Sequence, residues 1–267
     1  MSKLFKKCAV LTLVPISFLF LWSCSSTEQL TLQEVEGPIE VDGSLSSWNT
    51  DTFRLNTSDE IQYHATLYED FLYVFVDVRN PIADRAIRQM GLIVYLSNSR
   101  DDRNKVGIGY PAGSFNLLRE YPNAYNEFIT DEEWGQKPEN IELMNDLSED
   151  LFSKVMIVER YDDRPEHGFV DKSQLEIDGM EIATDEDRRY VSLEMKIPID
   201  GSSIYNVTKN DLWIGFAVEP PSFRIRHDSN SNLSRQDRRY GQTRGMPRQT
   251  RQRQLYSKND WFKLSVN

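Results

Sequence analysis

Side chains of alternating character run along most of this chain, and that alternation constrains its fold more than any other feature. In Ile61-Gln62-Tyr63-His64-Ala65-Thr66-Leu67 every second residue is apolar. Successive side chains of a strand point to opposite faces, so a period of two marks a strand with one face in a core. The same reading predicts strands over 52–55, 61–68, 71–78, 91–96, 154–161, 174–183, 189–197, 211–218 and 261–266. Glu69-Asp70 closes one tight hairpin and Thr184-Asp185-Glu186-Asp187 another. Helical spacing occurs only over 83–90 and, after Pro138, over 139–152. Many short strands with so little helix predict an all-β chain, an antiparallel β-sandwich with a few short helices.

Composition narrows the function classes. With 39% hydrophobic and 27% charged residues the chain has the apolar content of a globular protein. Two cysteines exclude a disulfide-dense scaffold and a cysteine-rich zinc site. A net charge of −11 argues against nucleic acid as a partner.

The N-terminus carries an address. Lys3, Lys6 and Lys7 precede an apolar run from Cys8 to Trp22, short for a membrane span and suited to the h-region of a signal peptide. The run ends Leu21-Trp22-Ser23-Cys24. These residues resemble the lipobox of bacterial lipoproteins, with an aliphatic residue at −3, a small one at −1 and then the modified cysteine. The resemblance implies a signal peptide over 1–23, diacylglyceryl attachment to Cys24, and acylation of its new amino group. Each buried CH₂ contributes about 0.8 kcal/mol, so several acyl chains anchor a protein without a spanning helix. An uncleaved signal anchor and a plain secretory signal are the alternatives. With Cys8 removed and Cys24 lipidated, cysteine catalysis is excluded. Ser25, where an aspartate would retain the protein in the inner membrane, favours the outer membrane of a cell envelope. The polar residues up to 37 read as a tether, and 38–267 as the folded domain.

One segment is compositionally foreign. Residues 223–253 hold nine arginines and no lysine against Asp228 and Asp237, and are nearly free of aliphatics. Arg224, Arg226, Arg235, Arg238, Arg239, Arg244, Arg248, Arg251 and Arg253 make it a candidate surface for anions or an envelope protein. Lying between two predicted strands, it reads as a long disordered Arg-rich loop inserted in the last hairpin. The alternative is intramolecular, a basic loop resting on an acidic body.

The most specific motif is Ile39-Glu40-Val41-Asp42-Gly43-Ser44-Leu45-Ser46-Ser47-Trp48, followed by the paired strands 63–68 and 71–78. Together they resemble the opening of family 9 carbohydrate-binding modules and the related DOMON-like sandwiches. The segment Asp211-Leu212-Trp213-Ile214-Gly215-Phe216 and the terminal Trp261-Phe262-Lys263-Leu264 are similar to their closing strands. The resemblance implies a jelly-roll type sandwich outside the cytoplasm with a sugar, or in some DOMON domains a haem, at one end. The residues themselves read as structural. Asp42-Gly43 suits a tight turn, and Trp48 is expected to plug one end of the sandwich with its indole N–H bonded to backbone.

Sugar binding needs exposed aromatic faces flanked by polar groups. Trp134 stands in the most polar context of the tryptophans outside the signal, with Tyr110, Tyr121 and Tyr125 in neighbouring loops. These four are the candidate ligand residues; the alternative for Trp134 is a lid packed on the sandwich. Asp228-Ser229-Asn230-Ser231-Asn232 begins like a calcium loop, but Leu233 and Arg239 stand where glycine and glutamate belong. A structural calcium elsewhere stays open, and no other cofactor is expected. His64 and His167 are the histidines that could serve a haem, a less favoured reading. No nucleophile or phosphate-loop motif occurs, so no catalytic residue is assigned and the expectation is a binding protein, not an enzyme.

Overall fold

The computed structural model describes residues 29–219 and 256–266, apart from 50, 52, 57, 132, 161–164 and 186. Eleven strands among them form two sheets. The small sheet holds β2 (Ile61–Tyr68), β3 (Phe71–Val78), β9 (Ser192–Pro198) and β8 (Glu181–Ala183), in that order. The large sheet runs β1 (Gln29–Leu32), β11 (Lys258–Val266), β10 (Leu212–Val218), β4 (Ile93–Ser97), β5 (Val106–Gly109), β6 (Lys154–Arg160) and β7 (Pro165–Asp171). All pairs are antiparallel except β1 with β11.

The two sheets pack face to face. Tyr63, Ala65, Val74, Val76, Leu193 and Met195 of the small sheet meet Val94, Ile108, Ile214 and Phe216 of the large one in a single buried cluster. The alternation is kept faithfully: the intervening residues of β2 and β3, such as His64, Tyr73 and Phe75, turn to the opposite face. Helix α1 (Pro81–Met90) carries the chain from one sheet to the other and buries Ala83, Ala86, Ile87 and Met90 against that core. Asn80 caps it, its side chain accepting from the Ile82 and Ala83 N–H groups.

Each sheet also has a cover on its outer face. Residues 39–53 lie over the small sheet, with Ile39, Trp48 and Phe53 on Tyr73 and Phe75. On the large sheet the cover is helical: α2 (Ser114–Leu117), α3 (Pro122–Thr130) and α4 (Pro138–Glu149) pack on Ile93, Met156 and Val158. Both outer faces are therefore partly core, which is why strands such as β4 are buried along their whole length.

Several expectations need correction. The stretch 174–183 is not one strand: α5 (Lys172–Ile177) and a turn through Gly179 precede the three-residue β8. Leu175 and Met180 reach the core from the helix and the turn, and their apolar character imitated a strand. Residues 53–55 run beside β2 with one bridge, Arg54 to His64, and form no strand of their own. β5 and β7 were not expected, because glycines and charges interrupt their alternation. The reading of residues up to 37 as tether also changes. β1 lies inside it and pairs with β11, Leu32 is buried, and the Val35 N–H donates to the Leu67 carbonyl at 2.9 Å.

Candidate functional site

The motif that begins at Ile39 is organised by a buried carboxylate. Glu194, on the outer face of β9, accepts from the Trp48 indole N–H at 2.8 Å, the Gly43 N–H at 2.8 Å and the Asp42 N–H at 3.0 Å. Trp48 thus bonds a side chain, not backbone as its sequence context suggested. Gly43 has φ of +80°, and a Cβ there would collide with the Thr184–Asp185 backbone, so glycine is required. Burial pushes the Glu194 carboxyl above its ordinary pKa, against the pull of its three N–H donors. Beside it Asp77 is held between Arg79 Nε at 2.7 Å and Arg188 Nη2 at 2.6 Å. This polar layer is closed over by residues 39–53 and acts as a fastening.

The large sheet presents a different surface where its helical cover ends. Trp261 on β11 lies across Gly215 of β10; a Cβ at Gly215 would stand 2.5–2.6 Å from three atoms of the indole. Tyr95 of β4 lies beside it with ring centroids 5.8 Å apart and planes at 26°. Gly107 makes the same room beneath Tyr95, so two glycines let two aromatic rings lie down on the sheet. The Arg103 guanidinium sits over Trp261, 5.2 Å from a ring centroid, and the indole N–H donates to Asn259 Oδ1 at 2.7 Å.

Contacts continue from there across the face. The Tyr95 hydroxyl donates to Glu219 Oε1 at 3.1 Å, and Arg160 Nη2 approaches Glu219 Oε2 at 3.3 Å. Burial and the Glu219 carboxylate push the Tyr95 hydroxyl up. His167 of β7 is held down to about 4 by burial first and then by Arg119 and Arg160, so it is a neutral imidazole near neutral pH. Arg119 in turn lies over the Tyr125 ring of α3 at 5.8 Å. Arg103, Trp261, Tyr95, Arg160, Arg119 and Tyr125 therefore follow one another in one ladder from β11 to α3, with Glu219 between Tyr95 and Arg160 and His167 between the last two arginines. All of these except Tyr95 are half-buried, so the ladder reaches the surface.

The expected ligand residues separate on this frame. Tyr125 belongs to the ladder, and Tyr121 is 46% exposed at the start of the same helix. Trp134 and Tyr110 are 2% and 0% exposed and offer no face to a sugar. Trp134 packs against Phe128 under the helical cover, the lid alternative, and the Tyr110 hydroxyl bonds the Phe152 carbonyl. His64 and His167 stand on the outer faces of different sheets. Among the described residues no group of three or more His, Cys, Asp or Glu could hold a metal ion. Cys24, the calcium-like 228–232 and the nine arginines from Arg224 to Arg253 lie outside the described residues. Sequence reasoning missed Tyr95, Trp261 and Arg103; the signal was there in Gly107 and Gly215, glycines inside strands that mark a close approach.

A concavity of about 350 Å³ lies between the 97–105 loop and residues 204–207, lined by Ser97, Asn98, Asp102, Lys105 and Asn206 among others. Arg103 and Asp102 thus place one loop between ladder and cleft. No family model, curated protein or solved structure matches this chain.

Proposed function

We propose that this chain is a non-catalytic binding module of a bacterial cell envelope that holds carbohydrate on the ladder. In this reading it is lipid-anchored through Cys24 and its sandwich is of the DOMON-like jelly-roll type. One observation carries the proposal: the half-buried Trp261 lies flat on Gly215 at the outer face of the large sheet, backed by the buried Tyr95 ring and edged by guanidiniums. Flat aromatic faces suit the C–H face of a pyranose, and guanidiniums supply donors for its oxygens. Arg103 swings off the indole to admit the ring and then bonds its hydroxyls. The groups of the ladder favour binding over reaction. Arginines keep their protons at all working pH, and the ladder holds one carboxylate, Glu219, where glycoside hydrolysis needs two.

The test is a glycan array probed with the chain lacking its first 24 residues, followed by titration of the hits. Binding that disappears in Trp261→Ala while the melting temperature stays within a few degrees is the expected result. Failure to bind any glycan refutes the reading. The Arg-rich segment supports a second one, contact with an anionic envelope component, because in sequence it lies between β10, which Glu219 directly follows, and β11, which carries Trp261. Deleting 224–253 separates the two: ladder binding survives the deletion, and segment binding does not.

A further inference from the structure

We propose, resting on the carbohydrate reading, that the ladder selects glycans bearing carboxylates, those built from uronic acids. Three guanidiniums face this surface in a chain whose net charge is −11. The acidic neighbours that could neutralise two of them are committed elsewhere. Asp102, next to Arg103, pairs with Lys105 at 2.8 Å, and Glu120, next to Arg119, pairs with Lys154 at 2.5 Å. Arg119 and Arg160 both act on His167, so two like charges share one neighbourhood whose imidazole stays neutral and offers them no compensation.

Arg160 is the most telling member. Its bond to Glu219 is loose, at 3.3 and 3.5 Å from Nη2 to the two oxygens, where a charge-assisted pair closes to about 2.7–2.9 Å. Its Nε–H is buried and has no partner among the described residues. A guanidinium is a planar fork of five donors that matches a carboxylate through two parallel bonds. Glu219 meets that fork through one nitrogen only. A ligand carboxylate beside a pyranose ring on Trp261 would take the fork two-handed and displace Glu219. The pyranose face explains the aromatic rings, the carboxylate explains the arginines, and a uronic acid has both.

The experiment titrates the chain lacking residues 1–24 with a galacturonic acid oligomer and with its methyl ester of the same length, by calorimetry at low and moderate salt. The ester keeps the ring and removes the charge. The acid form is expected to bind at least tenfold more tightly, a margin lost in Arg160→Gln and reduced in Arg103→Gln. Glu219→Gln is expected to bind the acid several-fold more tightly, because it removes the competing carboxylate; weaker binding by that variant overturns the proposal, since a purely structural Glu219 gives that sign. Equal affinity for acid and ester overturns acid selection and leaves carbohydrate binding standing, as does binding confined to sulfated glycans. Binding to neither oligomer, with hits on neutral glycans elsewhere in the array, also overturns the selection alone. An array without hits overturns both readings.

Discussion

Glu194→Gln tests whether one carboxylate fastens the N-terminal cover to the small sheet. The wild-type side chain is fully buried and accepts three N–H groups, one on Oε1 and two on Oε2. An amide of the same shape has one oxygen, so its best rotamer keeps the Asp42 and Gly43 N–H bonds and turns its NH₂ toward the Trp48 indole N–H. Losing a charge-assisted bond costs about 1.5–3 kcal/mol, and an indole N–H left without a partner adds roughly 1–3. The charge no longer has to be buried, which offsets part of this, so the expected net loss is about 2–4 kcal/mol. For a domain of this size that lowers the melting temperature by roughly 5–15 °C. The local readout is sharper than the global one. Trp48, 7% exposed, loses its anchor, so its emission shifts to the red and protease cuts appear within 39–53 before the sandwich melts. The pH dependence has a definite sign. Burial raises the folded pKa of Glu194, so the proton-linked part of its contribution is fully present below the unfolded value and is lost as pH climbs through the raised one, while its N–H bonds remain. Asp42, the nearby acid that adds to this shift, stays in both proteins, so Glu194→Gln removes only the dependence due to Glu194. A variant with unchanged melting temperature and a protected 39–53 segment would show that the cover is held by Ile39, Trp48 and Phe53 packing alone.

Three other perturbations follow from the geometry. Gly215→Ala puts a methyl 2.5–2.6 Å from the Trp261 indole, so the ring must lift by about an ångström; glycan affinity falls tenfold or more with a stability loss of about 1–3 kcal/mol, read by titration and urea unfolding. Asp77→Asn leaves Arg79 and Arg188 without their buried counter-charge and costs about 3 kcal/mol in urea unfolding; a change under 1 kcal/mol would mean that the two arginines find other partners. The His167 imidazole titrates with a midpoint of about 4 by NMR and moves upward in Arg119→Met; a midpoint near 6.5 would mean that neither burial nor the two guanidiniums act on it.

Where the chain obeys one local rule per element, the fold was legible. β2 alternates cleanly, β3 is a short apolar run closed by the Glu69-Asp70 turn, and both are found at the predicted residues; α1 was read from its spacing over 83–90, two residues inside the start that Asn80 and Pro81 mark. Legibility failed where tertiary context supplied what the local pattern lacked. β5 is four residues with two glycines; it is a strand because Tyr95 and Met156 lie over the places where side chains would stand. Trp134 shows the same limit for the site. Its sequence neighbours Asp131 and Glu133 are polar, but the Lys137–Asp131 pair and the Asn140 side-chain bond to the Trp134 carbonyl turn the indole inward. Local polarity told where the chain meets water and not which way one ring points. Trp261 sits in a strand, where its neighbours gave no sign of a surface role, yet the face it occupies is covered by helices only in part.

β1 changes what a lipid on Cys24 would do to this domain. A tether reaching residue 37 would let the sandwich move roughly 45 Å from the bilayer, at about 3.3–3.6 Å per residue. With β1 starting at Gln29 and paired to β11, four residues remain between anchor and sheet, about 14 Å fully extended. The β1–β11 edge is then held against the membrane, and with it the strand that carries Trp261. A dye on Asp211→Cys, whose side chain is 71% exposed beside Lys263, reports this distance by energy transfer to labelled lipid in vesicles. Leu32→Asn buries an amide in the sandwich core, costs about 2–4 kcal/mol locally, and releases β1. Transfer is expected to be strong in the wild-type background and to fall sharply in the Leu32→Asn variant as the tether lengthens toward Val35. Equal transfer in both would mean that β1 does not set the height of the domain, and that whatever brings the ladder to its ligand works without the membrane holding one edge of the sheet.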